Sequence, residues 1–344
     1  MVTFLLFIVL IAVFILKAVK TNIKANPNDV WTPAREGGIE DEHSSTQYTA
    51  PTASKPNPEP EVVTAPLEEP NQRPAEASHK EQEKRTVPER TPFAPKNVDR
   101  IFGLIGKPLG HSTSMVSFKK KFRAEGISAD YCNFELESAE EIRNLVEHNP
   151  KICGLNVTIP YKTDVIPYLD ELDDTAREIG AVNVVKVERG AGNIRLIGYN
   201  TDHVGFGRSL KPMLPELPVK ALVLGTGGAS KAVCYALRQM GIEYHSVSRS
   251  SSFDILGYYE LSPSIMEEHR LIINCTPVGM SPDTEQCPDI PYAYISPEHI
   301  LFDLIYNPET TLFLKKGTEH GAAIKNGSEM LRIQAEEAWK IWNQ

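Results

Sequence analysis

The chain has 344 residues, with 36 Lys and Arg against 45 Asp and Glu, and a formal net charge of −9 at pH 7. This length favours two domains with appendages, and the acidic balance without a basic stripe argues against a nucleic-acid partner. The five cysteines form no CxxC pair, which argues against a disulfide framework or a metal site and indicates a reducing compartment.

The first segment is an apolar run. Residues 1–16 are almost wholly apolar, and Lys17, Lys20 and Lys24 follow them. Because Lys17 can snorkel, the run predicts a membrane anchor over residues 1–20, with the N-terminus outside and the bulk of the protein in the cytoplasm. A cleaved signal peptide is one alternative, although no basic region precedes the run. A native start near Val98 is another.

Residues 21–97 differ in composition from everything that follows. They are rich in Pro, with Glu, Ser, Thr and Gln, and have almost no apolar periodicity. Such a segment cannot bury enough apolar surface to offset its conformational entropy. The composition therefore predicts a disordered linker that spaces the folded part from the membrane.

From Arg100 onward, short apolar strands alternate with amphipathic helices, which predicts an α/β fold. In chain order the pattern predicts strands over 101–106, 131–136 and 152–157, and helices over 114–125 and 140–149. After the third strand, Pro160 ends regular structure and begins a polar loop. Ligands bind at this carboxyl edge of open α/β sheets.

Two residues of polar runs suggest proton-transfer chemistry. Lys162 lies in the loop after the third strand, and Asp202 lies in the run Asn200-Thr201-Asp202. An ammonium group beside a carboxylate can give a proton to an oxygen that is becoming negative, while the carboxylate keeps the amine oriented. The alternative for Lys162 is a solvated surface lysine.

A second unit begins with a strand predicted over 219–224 and a helix that extends to about residue 240. Between them lies a glycine turn: Gly225, Thr226, Gly227, Gly228, Ala229 and Ser230. Strand, glycine turn and helix in this order predict a dinucleotide site, because the turn lets backbone N–H groups approach a pyrophosphate. The match is weak by itself, since Ser230 occupies the third glycine position.

The next predicted strand, 243–247, ends in Ser248, Arg249 and Ser250. An arginine flanked by hydroxyls, where an NAD site usually has an acid, suits a 2′-phosphate and so favours NADP. A solvated arginine is the alternative. The short segment from Arg249 to Asn274 brings no second basic residue, which leaves the strength of the preference open.

These motifs together resemble the shikimate dehydrogenase family, from about residue 99 to the C-terminus. The residues that carry the resemblance are Gly110-His111-Ser112-Thr113-Ser114, Asn156-Val157-Thr158-Ile159-Pro160-Tyr161-Lys162, Gly180-Ala181-Val182-Asn183, Asn200-Thr201-Asp202, the glycine turn, Asn274-Cys275-Thr276-Pro277-Val278-Gly279-Met280, Tyr306-Asn307-Pro308, and Gly327, Met330, Leu331 and Gln334.

The resemblance implies NADPH-dependent, reversible reduction of 3-dehydroshikimate to shikimate. It also implies a substrate-binding domain over 98–203 and 323–344, a Rossmann-type NADP-binding domain over 204–322, and an active site in the cleft between them. A quinate/shikimate dehydrogenase using NAD or NADP, and a membrane-tethered scaffold that has lost activity, are the alternatives. A homodimer stays open.

The resemblance also implies a role for each matching residue. Lys162 and Asp202 would be catalytic. The substrate would contact Ser112, Ser114, Asn156, Thr158, Asn183, Asp202, Tyr306 and Gln334. Beyond the glycine turn and Ser248 to Ser250, the cofactor would contact Asp174, Thr276, Leu304 and Gly327. Ser112 and Ser114 could instead cap the following helix, and Asn183 and Gln334 could be structural or surface residues.

Overall fold

The computed structural model describes residues 98–110, 113–190, 192–216 and 218–344. The predicted anchor (1–20) and linker (21–97) therefore lie outside the described residues, as does Ser112. No helix within the described ranges is long and apolar enough to cross a bilayer.

The first half of the described chain forms a six-stranded mixed sheet in the order β2-β1-β3-β5-β6-β4. β1 runs parallel to β2 and β3, whereas β5 is antiparallel to both β3 and β6. The strands are β1 (Arg100–Gly106), β2 (Ala129–Glu135), β3 (Ile152–Val157), β4 (Glu171–Leu172), β5 (Val184–Gly190) and β6 (Asn193–Tyr199).

Apolar residues on both faces of this sheet are covered. Ile105 and Leu155 belong to one buried cluster, and Phe102, Phe118 and Trp342 belong to the cluster on the opposite face. The helices of this half are α1 (Thr113–Glu125), α2 (Glu141–His148) and α3 (Asp174–Ile179), with a 3₁₀ turn at Ile166–Tyr168. Burial on both faces explains why the central strands β1 and β3 are nearly continuous apolar runs.

The second half forms a six-stranded sheet in which every pair is parallel, in the order β12-β11-β10-β7-β8-β9. The strands are β7 (Ala221–Leu224), β8 (Tyr244–Ser248), β9 (Ile255–Gly257), β10 (Leu271–Asn274), β11 (Ile300–Asp303) and β12 (Ala323–Lys325). The strand order reverses between β7 and β10. This reversal opens a crevice at the carboxyl ends of these two strands, where ligands bind in such sheets.

The helices of the second half complete the α/β pattern. They are α4 (Asp202–Leu210), α5 (Gly228–Gln239), α6 (Pro263–Glu268), α7 (Leu312–Glu319) and α8 (Ser328–Trp342), with 3₁₀ turns at Lys211–Met213, Tyr258–Glu260 and Tyr292–Tyr294. α6 is only six residues long, which agrees with the short segment noted between Arg249 and Asn274. The predicted α/β fold is confirmed, and the structure forms it with two six-stranded sheets.

The C-terminal helix α8 packs on the cores of both sheets. Met330 lies in the cluster of the second sheet, whereas Ala338 and Trp342 lie in the cluster of the first. A Cβ on Gly205 of α4 would lie 2.7 Å from the carbonyl oxygen of Met330, so the two helices approach closely at this glycine. The approach brings the start of α8 beside the start of α4.

One domain boundary differs from the prediction. β12 pairs in parallel with β11, in the register Ile300↔Ala323. Residues 323–325 therefore fold with the second sheet, although the sequence analysis assigned them to the substrate-binding domain. Three residues at the edge of a parallel sheet are too few to produce a distinct sequence pattern.

Candidate active site

Lys162 and Asp202 form an ion pair beside the first sheet. The Lys162 Nζ lies 2.6 Å from Asp202 Oδ2, and the two side chains are 15% and 6% exposed. Lys162 comes from the turn after β3, and Asp202 is the first residue of α4. The pair is thus held by two elements, one at the end of the sheet and one that leads into the second half.

Asn183 connects this pair to α8. Its Nδ2 donates to Asp202 Oδ1 at 2.9 Å and also lies 3.2 Å from Gln334 Oε1 and 3.0 Å from Thr201 Oγ1. Its Oδ1 accepts from the Thr201 backbone N–H at 2.7 Å. Asn183, Asp202 and Gln334 are all buried. The structure therefore joins three side chains that lie far apart in sequence.

Asn156 extends the same network into β3, and Tyr131 holds it there. The Tyr131 hydroxyl donates to Asn156 Oδ1 at 2.8 Å, and Asn156 Nδ2 donates to the Asn183 carbonyl at 3.3 Å. Burial raises the pKa of Tyr131 well above its usual value, so the hydroxyl stays protonated and can donate. Tyr131 was not among the predicted site residues, because it occupies a strand position typical of the core.

Asn200 is a second residue that the site prediction omitted. Its Oδ1 accepts from the Asp202 backbone N–H at 3.0 Å, and its Nδ2 donates to the Ala181 carbonyl at 2.9 Å. The side chain thus satisfies a free donor at the start of α4. Its place in the motif Asn200-Thr201-Asp202 was the available signal.

The glycine turn lies at the crevice between β7 and β10. Gly225 has φ +104°, in the left-handed region, and a Cβ there would lie 3.1 Å from Thr276 Cγ2. Gly227 caps α5 without a side-chain hydrogen bond, and a Cβ on it would meet nothing within 4 Å. The N–H groups of the first turn of α5 are thus not capped by the side chain of the N-cap residue, which leaves donors of the kind that bind a phosphate. Ser230 is buried and donates to the Gly227 carbonyl at 2.7 Å.

The glycine turn also packs against the lysine. A Cβ on Gly228 would lie 2.7 Å from the Cβ of Lys162, so only a glycine fits there without displacement. On the next turn of α5, Lys231 Nζ donates to the Gly180 carbonyl at 3.2 Å. The two halves of the molecule thus meet at the catalytic candidates.

The remaining cofactor candidates lie apart from this network. Arg249 and Ser250 are exposed after β8, and Arg249 makes no hydrogen bond or ion pair within the described ranges. The fully exposed side chain of Asp174 pairs with Arg177 on α3. Gly327 is buried so close to Leu304 that a Cβ would lie 2.0 Å from the Leu304 carbonyl oxygen.

The remaining substrate candidates are only partly described. Ser114, Thr158 and Tyr306 are half-buried, and their side chains are not joined to the Asn183 network. Ser112 lies outside the described residues. Within those residues, no group of three or more His, Cys, Asp or Glu could hold a metal ion.

A parallel sheet with a glycine turn at its switch point, facing a lysine–aspartate pair beside a mixed sheet, defines an α/β protein with two sheets, of the dinucleotide-dependent dehydrogenase class. A profile of the shikimate dehydrogenase substrate binding domain matches residues 104–185. The NADP(+) shikimate dehydrogenase of Aquifex aeolicus is 40% identical over 255 residues, covering 71% of this chain and 91% of that protein. The chain belongs to the shikimate dehydrogenase family.

Solved structures agree with this assignment. The shikimate 5-dehydrogenase of Thermus thermophilus in complex with NADP(H) and shikimate superposes with a TM-score of 0.62 at 31% identity, covering 71% of this chain and 93% of that chain. The enzyme of Listeria monocytogenes in complex with shikimate and NAD gives a TM-score of 0.62 at 27% identity, covering 73% and 94%.

Proposed function

We propose that this chain is a shikimate dehydrogenase that interconverts 3-dehydroshikimate and shikimate with NADP. The observation that carries the proposal is the Lys162–Asp202 ion pair, 2.6 Å long, packed against the glycine turn through Gly228. The family relationship supports the same reaction, since relatives covered over nine-tenths of their length are named NADP(+) shikimate dehydrogenases.

In this reaction Lys162 donates a proton to the carbonyl oxygen of 3-dehydroshikimate as that oxygen becomes an alkoxide, and takes a proton back in the reverse direction. Asp202 accepts from Asn183, which fixes the carboxylate, and the carboxylate in turn orients the ammonium group of Lys162 toward the substrate. Asn156, Thr158, Asn183 and Gln334 select the ring hydroxyls, because an unmatched buried polar group is costly. Ser112, Ser114 and Tyr306 hold the carboxylate.

The residues at the crevice fit a dinucleotide. The start of α5, where no side chain caps the helix and a Cβ on Gly227 would meet nothing, suits a pyrophosphate. The exposed Arg249 suits a 2′-phosphate. Thr276, Leu304 and Gly327 would line the nicotinamide end, and Asp174 would reach the cofactor from α3. When bound, NADPH supplies the hydride.

The test is an absorbance assay at the nicotinamide band with shikimate and quinate, each with NADP and with NAD. We expect shikimate with NADP to give the highest kcat/KM. Faster turnover of quinate, or of NAD, would favour the quinate/shikimate dehydrogenase alternative. The absence of turnover with all four pairs, in a folded protein that still binds shikimate, would favour the scaffold alternative.

We further propose that residues 1–20 anchor the enzyme domain to a membrane on its cytoplasmic side. The apolar run followed by Lys17, Lys20 and Lys24 supports this topology. Membrane fractionation of the full chain, compared with a chain that starts at Val98, tests it. Release of the full chain by alkaline carbonate, or a native N-terminus near Val98 in mass spectrometry, would contradict the proposal.

A further inference from the structure

A second buried polar cluster lies at the carboxyl edge of the parallel sheet, outside the lysine–aspartate network. Its centre is Asp303, the last residue of β11, whose side chain has no exposed surface. Asp303 Oδ1 accepts from Asn274 Nδ2 at 3.1 Å and from the Ile305 backbone N–H at 3.0 Å. Oδ2 accepts from Thr311 Oγ1 at 2.6 Å.

The three donors to this carboxylate come from three segments. Asn274 ends β10, Ile305 lies in the loop after β11, and Thr311 caps α7 by accepting from the Leu314 N–H at 3.3 Å. One carboxylate therefore fixes the relative positions of two strand ends and a helix start.

Asn274 passes this constraint on to the loop that follows β10. Its Oδ1 accepts from the backbone N–H of Thr276 at 3.0 Å and from Thr276 Oγ1 at 2.6 Å, and its Nδ2 lies 3.4 Å from the Val278 carbonyl. Thr276 is the residue against which Gly225 of the glycine turn packs. On the other side, Ile305 directly precedes Tyr306, and its carbonyl accepts from the Gly327 N–H at 3.0 Å.

We propose that Asp303 is a positioning residue, which holds the Thr276 loop and the Tyr306 loop at a fixed distance so that the cofactor and the substrate meet in reactive geometry. This inference rests on the proposed function for its kinetic consequence. A displacement of about 1 Å between reacting groups can lower a rate on the order of a hundredfold, so a side chain that touches neither reactant can still control turnover.

The surroundings of Asp303 disfavour the charged form of its carboxyl. Burial raises the pKa of its carboxyl to about 6, although the bonds from Thr311, Ile305 and Asn274 act in the opposite direction. The titratable groups that face it are the Cys275 thiol and the Tyr292 phenol, whose pKa values burial also raises, so both are neutral. A charge is thus kept among neutral donors, at a cost in stability.

The experiment compares the full-length protein with Asp303→Asn, which keeps the shape but cannot accept from all three donors. Hydrogen exchange is measured over residues 274–280 and 304–311, with helix α2 (Glu141–His148) of the first half as an internal control. We expect faster exchange in the first two segments only. We also expect kcat with shikimate and NADP to fall about tenfold or more, by the misplacement argument, while adenosine 2′,5′-bisphosphate, which lacks the nicotinamide, binds as before.

A matched pair at Thr311 provides a second test that keeps the carboxylate. Thr311→Ser retains the hydroxyl donor and should behave like the unaltered protein, whereas Thr311→Val should reproduce the faster exchange and lower kcat. Unchanged exchange in Asp303→Asn, or equal kinetics for the two Thr311 variants, would overturn the inference. If the unaltered protein fails to oxidise shikimate, the proposed function fails, while the exchange result still decides whether Asp303 positions the loops.

Discussion

Within the described part of the chain, two buried carboxylates, Asp202 and Asp303, lie at the edges of the two sheets, and their surroundings differ. Asp202 accepts from the ammonium group of Lys162 at 2.6 Å, whereas Asp303 accepts hydrogen bonds from the neutral donors Asn274, Ile305 and Thr311. A carboxylate beside a cation can steer a proton donor. A carboxylate among neutral donors can only hold geometry, and it loses solvation without a compensating charge. We therefore call the network around Lys162 and Asp202 the chemical half of the site, and the cluster around Asp303 its positioning half.

The largest expected effect is on the chemical half. Lys162→Ala should lower kcat on the order of a thousandfold while KM for shikimate changes little, because proton donation acts chiefly in the transition state. Steady-state kinetics in the direction of shikimate oxidation measure both constants.

A matched control for this variant is Lys186→Ala. Lys186 pairs with Glu188 at 3.0 Å, and its side chain is 19% exposed, close to the 15% of Lys162. The control should leave kcat unchanged. Retained turnover in Lys162→Ala would show that the ion pair is structural, and the contrast between the two carboxylates would disappear.

The second prediction concerns the stability of the positioning half. The folded-state pKa of Asp303 is about 6, above the usual 3.8, so between these values the folded protein binds more protons than the unfolded chain. The contribution of Asp303 to stability is therefore present at low pH and is lost as the pH rises through about 6. The difference between these two pKa values corresponds to a change in the free energy of unfolding on the order of 3 kcal/mol across this pH range.

The Asp303→Asn variant has no charge to bury, so its stability relative to the unaltered protein should increase from about pH 4 to about pH 6 and then level off. Urea unfolding of both proteins across this pH range measures the difference between their free energies of unfolding. A variant that is less stable at neutral pH would show that the carboxylate stabilises the fold. A more stable variant with a lower kcat would show that the charge of Asp303 supports turnover at the expense of stability.

Sequence reasoning succeeded where local pattern decides the structure. Apolar runs located β3 and β7, and short motifs identified Lys162, Asp202 and Asn183, which the fold joins in one network. These motifs were informative because chemistry requires particular residue types at the ends of strands.

Residues that act through tertiary contacts were harder to find from the sequence. Tyr131 lies on an apolar strand, and no periodicity distinguishes its hydroxyl from a ring that only packs. Asp303 ends an apolar strand and resembles any acid at the start of a loop, although its place at the carboxyl edge was a usable signal. The contact between Gly228 and Lys162 depends on how two sheets meet, which no local pattern contains.

A third prediction concerns Arg249, a cofactor candidate that is exposed, in contrast to buried Asp303. Arg249→Glu should raise KM for NADP about tenfold to a hundredfold and alter KM for NAD much less, because a charge-assisted hydrogen bond contributes about 1.5–3 kcal/mol. The control is Arg270→Glu, the same charge change at a surface arginine that pairs with Glu298 at 2.5 Å. Equal changes for NADP and NAD would show that Arg249 does not contact the 2′-phosphate.

The smallest expected effect returns to the chemical half and asks how far its network extends. Tyr131→Phe removes the donor to Asn156 Oδ1 but keeps the ring stacked on Phe118, 4.7 Å away. Asn156 keeps its bond to the Asn183 carbonyl at 3.3 Å, so its amide is only partly released. The loss of one buried hydrogen bond, about 1 kcal/mol, should raise KM for shikimate several-fold with kcat nearly constant. If kcat falls as far as in Lys162→Ala, Tyr131 acts on the proton-transfer pair itself, and the chemical half of the site extends into β2.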